Sequence, residues 1–259
     1  MAGVEVTGTR RDVREHNRIA WDALAEQGNE WTVPVSPEAI QAAREGRWEI
    51  VLTPTKPVPR AWLNVDRRQV LCLASGGGQQ APILAAAGAS VTVLDNSPKQ
   101  LDRDAHMAER HSLPITTVLG DMANLEMFSD DSFDLIVHPV SNCFVPDVVP
   151  VWREAFRVLR RGCCLLAGFA NPAMYVFDLD LADRTGVLEV KHPLPYSDGS
   201  RGASEPMEFS HSLELQIGGQ IAAGFAIIGM YEDLHRGGDS NPLNRCMPMF
   251  IATRALKTG

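Results

Sequence analysis

The residues best placed to do chemistry stand at the ends of three short apolar runs. Residues 70–74 turn through Ser75-Gly76-Gly77-Gly78 into a helical pattern, 90–94 end in Asp95-Asn96, and 115–119 end in Gly120-Asp121-Met122. A buried strand that turns through glycines into a helix presents backbone N–H groups to a ligand, and the missing Cβ atoms let that ligand come close. A carboxylate at the tip of the next strand, about twenty residues on, can accept both hydroxyls of a ribose. Alone, the glycines fit a tight turn equally well. With Asp95 in register they read as a ribose-binding crevice.

Such a crevice needs a parallel sheet, and the middle of the chain has the pattern for one. Short apolar strands are expected at 69–74, 90–94, 115–119, 133–137 and 163–169, with helical stretches at 79–87, 97–111 and 147–160. Alternating β and α elements imply a doubly wound α/β sheet covered on both faces. Gly162 is expected as a helix C-cap following Arg160 and Arg161. Before the sheet, residues 1–64 read as a helical cap. An amphipathic helix over 12–27 comes first, then a helix opened by Ser36-Pro37-Glu38, then a Pro-rich extended linker over 53–60. Trp21 and Trp31 read as packing residues of this cap. After the sheet, 183–206 carry several Pro and Gly and read as a loop, within an inserted segment spanning 173–210. A helix over 211–223 and strands over 225–231 and 249–255 follow, the two strands forming an antiparallel pair that closes the sheet.

Composition narrows the function. The 259 residues are 45% hydrophobic and 22% charged, and 24 Lys plus Arg against 32 Asp plus Glu leave a net charge of -8. A polynucleotide substrate is disfavoured, because phosphate contacts need a basic footprint. Five scattered cysteines without a C-x-x-C pair indicate neither a disulfide framework nor a zinc site. No metal is expected; Glu232, His211 and His235 lack ligand spacing. Residues 1–18 lack the apolar core of a signal peptide, and no apolar run suits a membrane helix, so a cytoplasmic protein is expected. Oligomeric state is not legible.

Two ribose-bearing cofactors fit the crevice. Gly76-x-Gly78-x-x-Ala81 satisfies the dinucleotide fingerprint, which keeps an NAD-dependent oxidoreductase open. The long cap before the glycines, the acid at Asp121 and the closing antiparallel strands favour S-adenosyl-L-methionine.

Over about 65–172 the sequence resembles the class I S-adenosylmethionine-dependent methyltransferases. The family's V-L-D-L-G-C-G-T-G motif lies over Val70 to Gly78, its F-D-x-I/V strand over Phe133 to Ile136, and its E-x-x-R-V-L turn over Glu154 to Leu159. The resemblance implies a Rossmann-like seven-stranded sheet, mostly parallel with an antiparallel last strand. It also implies methyl transfer from S-adenosyl-L-methionine to a small-molecule acceptor. Ser75, Gly76 and Gly78 would hold the methionine portion, with Gly77, Gln80 and Gln100 also binding the cofactor; Asp95 with Asn96 would hold the ribose, and Asp121 with Met122 the adenine. His138 would border the cofactor or act as a general base, with Asn142 orienting the acceptor, because the loop after the fourth strand lies beside the transferable methyl. Arg60 could reach the cofactor carboxylate. Two positions depart from the motif: Cys72 replaces its acid and Ala74 its first glycine. These departures keep open a protein that binds the cofactor without catalysis, with Ser75, Gln79 and Gln80 as substitute polar contacts.

Overall fold

The computed structural model describes residues 10–197 and 205–258, so residues 198–204 of the expected loop lie outside the described residues. Seven strands form one sheet: β1 (Gln69–Leu73), β2 (Ser90–Asp95), β3 (Ile115–Leu119), β4 (Phe133–His138), β5 (Leu159–Ala170), β6 (Phe225–Asp233) and β7 (Phe250–Lys257). Their order is β3-β2-β1-β4-β5-β7-β6, and only β7 runs antiparallel to its neighbours. The chain order reverses between β1 and β4, so the crevice at the carboxyl ends of these strands opens where doubly wound sheets bind ligands.

The strands are near-continuous apolar runs because both faces are covered. On β1, Val70 and Cys72 face one layer while Leu71 and Leu73 face the other. The first layer packs on α2 (Pro37–Arg44), α3 (Gln80–Ala86) and α4 (Pro98–His111), through Ile40, Leu84, Leu101 and Met107. The second packs on α5 (Val149–Val158) through Val151, Trp152 and Ala155. The helix starts follow their sequence signals. Ser36 Oγ accepts from Ala39 N at 3.2 Å ahead of Pro37, and Ser97 Oγ accepts from Gln100 N at 3.1 Å ahead of Pro98.

Two motif fragments brace the far end of the sheet. Arg157 is clamped by Glu154 and Asp130, each at 2.8 Å, and also donates to the carbonyls of Leu125 and Phe128. Asp134 accepts from Gln69 N at 2.9 Å and pairs with Arg160 at 2.8 Å.

Three expectations about the elements need correction. Gly162 caps no helix: α5 ends at Val158 and β5 begins at once. Gly162, at φ 75°, lies where the β4–β5 register slips, and left-handed backbone there absorbs the extra residues. The inserted segment over 173–210, where it is described, carries a helix that runs into the start of the loop expected over 183–206. That helix, α6 (Leu179–Thr185), starts on Asp178, whose Oδ1 accepts from Leu181 N at 3.0 Å, and ends on left-handed Gly186. The helix expected over 211–223 forms over 213–223, with a π turn at Glu214–Gly218 ahead of α7 (Gly219–Ala223).

The cap, opened by α1 (Arg10–Gln27), is tied directly to the crevice side of the sheet. Asp22 Oδ1 accepts from Ser97 Oγ at 2.6 Å, and Arg103 donates to Ala25 O at 2.9 Å. The linker then crosses β5 at Gly168. A Cβ there would sit 2.1 Å from Leu52 O, the same oxygen that accepts from Val140 N at 3.1 Å. Gly168→Ala should therefore lift the linker off the sheet and cost about 2 kcal/mol or more of stability, read as a lower urea midpoint at unchanged m.

Candidate active site

A cavity of about 320 Å³ opens at the carboxyl ends of the parallel strands. Ala74, Ser75 and Gly76 enter it from the end of β1, Asp95 and Asn96 from β2, and Asp121 and Met122 from the segment after β3. Gln80 of α3 and Gln100 of α4 also line it. The cap supplies Asn17, Trp21, Trp31 and the segment Val51 to Pro54. Trp21 and Trp31 thus border the cavity as well as packing. Trp21 meets Phe144 edge-on with ring centroids 5.2 Å apart, and the Arg236 guanidinium lies 4.3 Å from the Trp31 ring centre. Arg60 is turned elsewhere, stacked 3.7 Å over the Trp48 ring.

The glycine loop differs from the expectation of amides open to a ligand. Gly76 N donates to Asp95 Oδ2 at 2.9 Å, and Gly77 N donates to Asp104 Oδ2 at 2.9 Å. The Gly76 and Gly77 amides are thus satisfied inside the protein, Gly77 N reaching Gln100 O at 3.1 Å as well. Gly77 and Gly78, at φ 108° and 74°, make the turn itself; a Cβ on either would strike the cap at Trp31 O or Pro34. These two therefore serve the turn and the cap, while Ala74, Ser75 and Gly76 reach the cavity. Ala74 takes φ 47°, left-handed backbone for which the motif's glycine is the easier residue.

Asp104 is the site residue that sequence reasoning missed. Its side chain is fully buried, and Oδ1 has no hydrogen-bond partner among the described residues. Burial, opposed by the Gly77 and Gly78 amides, pushes its carboxyl up to about 7. The available signal was its place on the apolar stripe of α4, three residues from both Leu101 and Met107. Asp95 is half-buried; it accepts from both Gly76 N and Ser97 N, and burial raises its pKa against those donors. The substitutes proposed for the missing motif acid are partly committed. Gln79 donates to Glu30 O at 2.9 Å and Val33 O at 3.2 Å. Gln80 donates to Val51 O at 3.4 Å. Ser75 and Gln100 also line the cavity, and Ser75 Oγ and Gln100 Oε1 are buried with no partner among the described residues. Such orphaned acceptors fit a ligand that brings N–H or O–H donors.

His138 and Asn142 do not face the cavity. Alternation along β4 turns His138 to the side of Ile136, with its ring edge-on to Trp152 at 6.0 Å. His138 is fully buried, with Nδ1 2.8 Å from Leu73 O and Nε2 2.6 Å from Asn142 Oδ1, and burial lowers its pKa against those two hydrogen bonds. Asn142 Nδ2 continues the chain to Gln216 Oε1 at 3.0 Å, and Gln220 links that helix to Thr253 at 3.0 Å. Ser141, next in line, reaches the cavity, as do Val140, Cys143 and Phe144 of the same turn. His211 Nε2 bonds Asn142 O and Val145 O, holding the same turn from behind. Among the described residues, no three His, Cys, Asp or Glu side chains gather to hold a metal ion.

A methyltransferase domain family matches residues 71–167. An uncharacterized methyltransferase of Bacillus subtilis, YbaJ, is 51% identical over 253 residues, covering 93% of this chain and 97% of that protein. The chain belongs to the S-adenosylmethionine-dependent methyltransferases. The same fold is found in an S-adenosylmethionine-dependent methyltransferase from Mesorhizobium loti, with TM-score 0.59, 21% identity and coverage of 76% of this chain and 94% of that one. A Burkholderia thailandensis 1,6-didemethyltoxoflavin N1-methyltransferase, solved with that compound and S-adenosylhomocysteine, aligns with TM-score 0.60 and 15% identity over 97% of this chain and 92% of its own. Among the described residues, no helix of this methyltransferase is long and apolar enough to cross a membrane.

The raised carboxyl of Asp104 gives the methyltransferase a pH signature. A group whose folded pKa exceeds its unfolded value gives stability that is complete below the unfolded pKa and is lost as pH rises through the folded one. For Asp104 that window runs from the ordinary carboxylate range, near 4, to about 7. Asp104→Asn removes the ionisation and keeps an acceptor for Gly77 N. Relative to wild type it should gain about 2–4 kcal/mol between pH 4 and pH 8, read from urea melts across that range.

Proposed function

We propose that the protein transfers the methyl group of S-adenosyl-L-methionine to a small-molecule acceptor bound in the same cavity. The observation that carries this reading is the occupation of the glycine loop by carboxylates. A dinucleotide needs those amides for its pyrophosphate, and the Asp95 carboxylate beside it would repel that charge. A cofactor with no phosphate and a net positive charge meets no such penalty. Among the cavity-lining side chains, Asp95, Asp121 and Glu208 are acidic, and Arg14 is the counterpart of fixed positive charge.

In this reading Asp95 and Asn96 hold the ribose, with Asn96 fixed by Arg14 Nε at 3.0 Å and by Arg14 O at 2.7 Å. Ser75, Gly76 and Gln100 surround the methionine portion. Asp121 and the Met122 backbone receive the adenine, Asp121 being braced by Ala123 N at 2.9 Å. The bound sulfonium supplies an activated methyl, so the protein's part is to align the acceptor and exclude water. His138 and Asn142 act on the acceptor only through the turn that carries Ser141. The cavity is walled by the cap and by Met174, Tyr175 and Glu208, which suits a small acceptor better than a polynucleotide.

Calorimetric titration of the full chain with S-adenosylhomocysteine and with NAD tests this. S-adenosylhomocysteine should bind and NAD should not, and Asp95→Asn should weaken the former by about tenfold or more. Binding of NAD alone would sink the proposal.

A further inference from the structure

The cavity has two chemically different halves, and sheet order separates them. Asp121, Asp95 and Ser75 follow β3, β2 and β1, whereas Cys143, Tyr175 and Phe250 belong to the segments at β4, β5 and β7. From β2 to β5 is three strand spacings, roughly 14 Å. The second half is walled by Cys143, Met174, Tyr175 and Phe250, part of one apolar cluster, with Phe144 alongside. Into that wall are set the Tyr175 hydroxyl, 3.3 Å from Glu208 Oε2, and Glu208 itself. Tyr175 is 4% exposed, stacked on Tyr196 at 5.3 Å, and hydrogen-bonded to the Cys143 thiol as well. Burial pushes that thiol well above its ordinary range, so it stays protonated.

Glu208 is held in place on both sides. Met207 N donates to Asn17 Oδ1 at 2.7 Å, and Asn17 Nδ2 returns a bond to Met207 O at 3.2 Å. Phe209 N donates to Cys143 O at 2.7 Å. The cap and the turn after β4 thus fix the backbone that carries this carboxylate, the arrangement expected of a preorganised binding group. A carboxylate in an apolar wall favours a cation or N–H donor and disfavours an anion.

Resting on the methyltransferase reading above, we propose that the acceptor is an amine on an apolar body, held through its nitrogen by Glu208 and Tyr175. The amine enters as its ammonium ion and gives one proton to the Glu208 carboxylate. The freed nitrogen lone pair attacks the methyl carbon as the carbon–sulfur bond breaks and its electron pair stays on sulfur. The product is the N-methylammonium ion, which leaves with the positive charge, and Glu208 returns its proton to solvent.

The test uses the full chain saturated with S-adenosylhomocysteine and titrated with 2-phenylethylamine or with 3-phenylpropionate, followed by ligand-detected NMR. The amine should bind and the carboxylate should not. Glu208→Gln should weaken the amine by about tenfold or more while leaving the affinity for S-adenosylhomocysteine unchanged. Tyr175→Phe, which keeps the ring against Tyr196, should weaken it in the same direction. Binding of 3-phenylpropionate as well as the amine, no amine binding to the saturated protein, or amine affinity unaltered in both variants would overturn the proposal. Failure of S-adenosylhomocysteine to bind wild type would instead bring down the methyltransferase reading on which it rests.

Discussion

The loop from Ala74 to Gly78 is held by two carboxylates that reach it from other elements. Asp95, at the tip of β2, takes the amide of Gly76, and Asp104, from within α4, takes the amide of Gly77. Much of the cavity's geometry follows from these bonds. Gly76 can approach Asp95 and Gln100 closely only because it has no side chain; a Cβ there would lie 2.7 Å from Gln100 Cβ and 3.0 Å from Asp95 Oδ2. Committing the Gly76 and Gly77 amides internally withholds them from an anionic ligand, and gives a cationic cofactor the better fit. It also leaves a buried acid in the core, where burial keeps its proton near neutral pH.

The cap is a second constraint, and it acts on both halves of the cavity. On one side Asp22 bonds Ser97 and Arg14 bonds Asn96, so α1 rests on the residues beside Asp95. On the other, Asn17 clasps Met207 and donates to Phe144 O at 2.9 Å. One helix therefore couples the two ends where the reactants would meet. The linker completes the enclosure by lying directly on β5 at Gly168.

Beneath the cavity runs a buried polar chain from Leu73 O through His138, Asn142, Gln216 and Gln220 to Thr253. Each side chain in it is at most 2% exposed and finds a partner, so the chain rigidifies rather than weakens the core. It ties the last residue of β1 to the turn after β4 and to β7. A histidine that sequence position places beside the methyl thereby becomes a strut.

Sequence by itself determined the sheet and its crevice. The apolar runs, the glycine turn, the Ser-Pro helix starts and the acids at Asp95 and Asp121 are local patterns, and a period of two or of 3.6 residues is set by backbone geometry alone. Eight of the expected cofactor residues line the cavity because strand ends in such a sheet converge on one edge. Tertiary structure decided what those patterns cannot encode. Whether the glycine amides are free depends on Asp104, which is distant along the chain and reads as one more polar residue of α4. The orientation of His138 depends on strand parity against Trp152, and the placement of Glu208 on clasps from Asn17 and Cys143. Gly162 misleads for the same reason: a left-handed glycine after a helical run suits a cap or a bulge equally well, and only the register of β4 against β5 chooses between them.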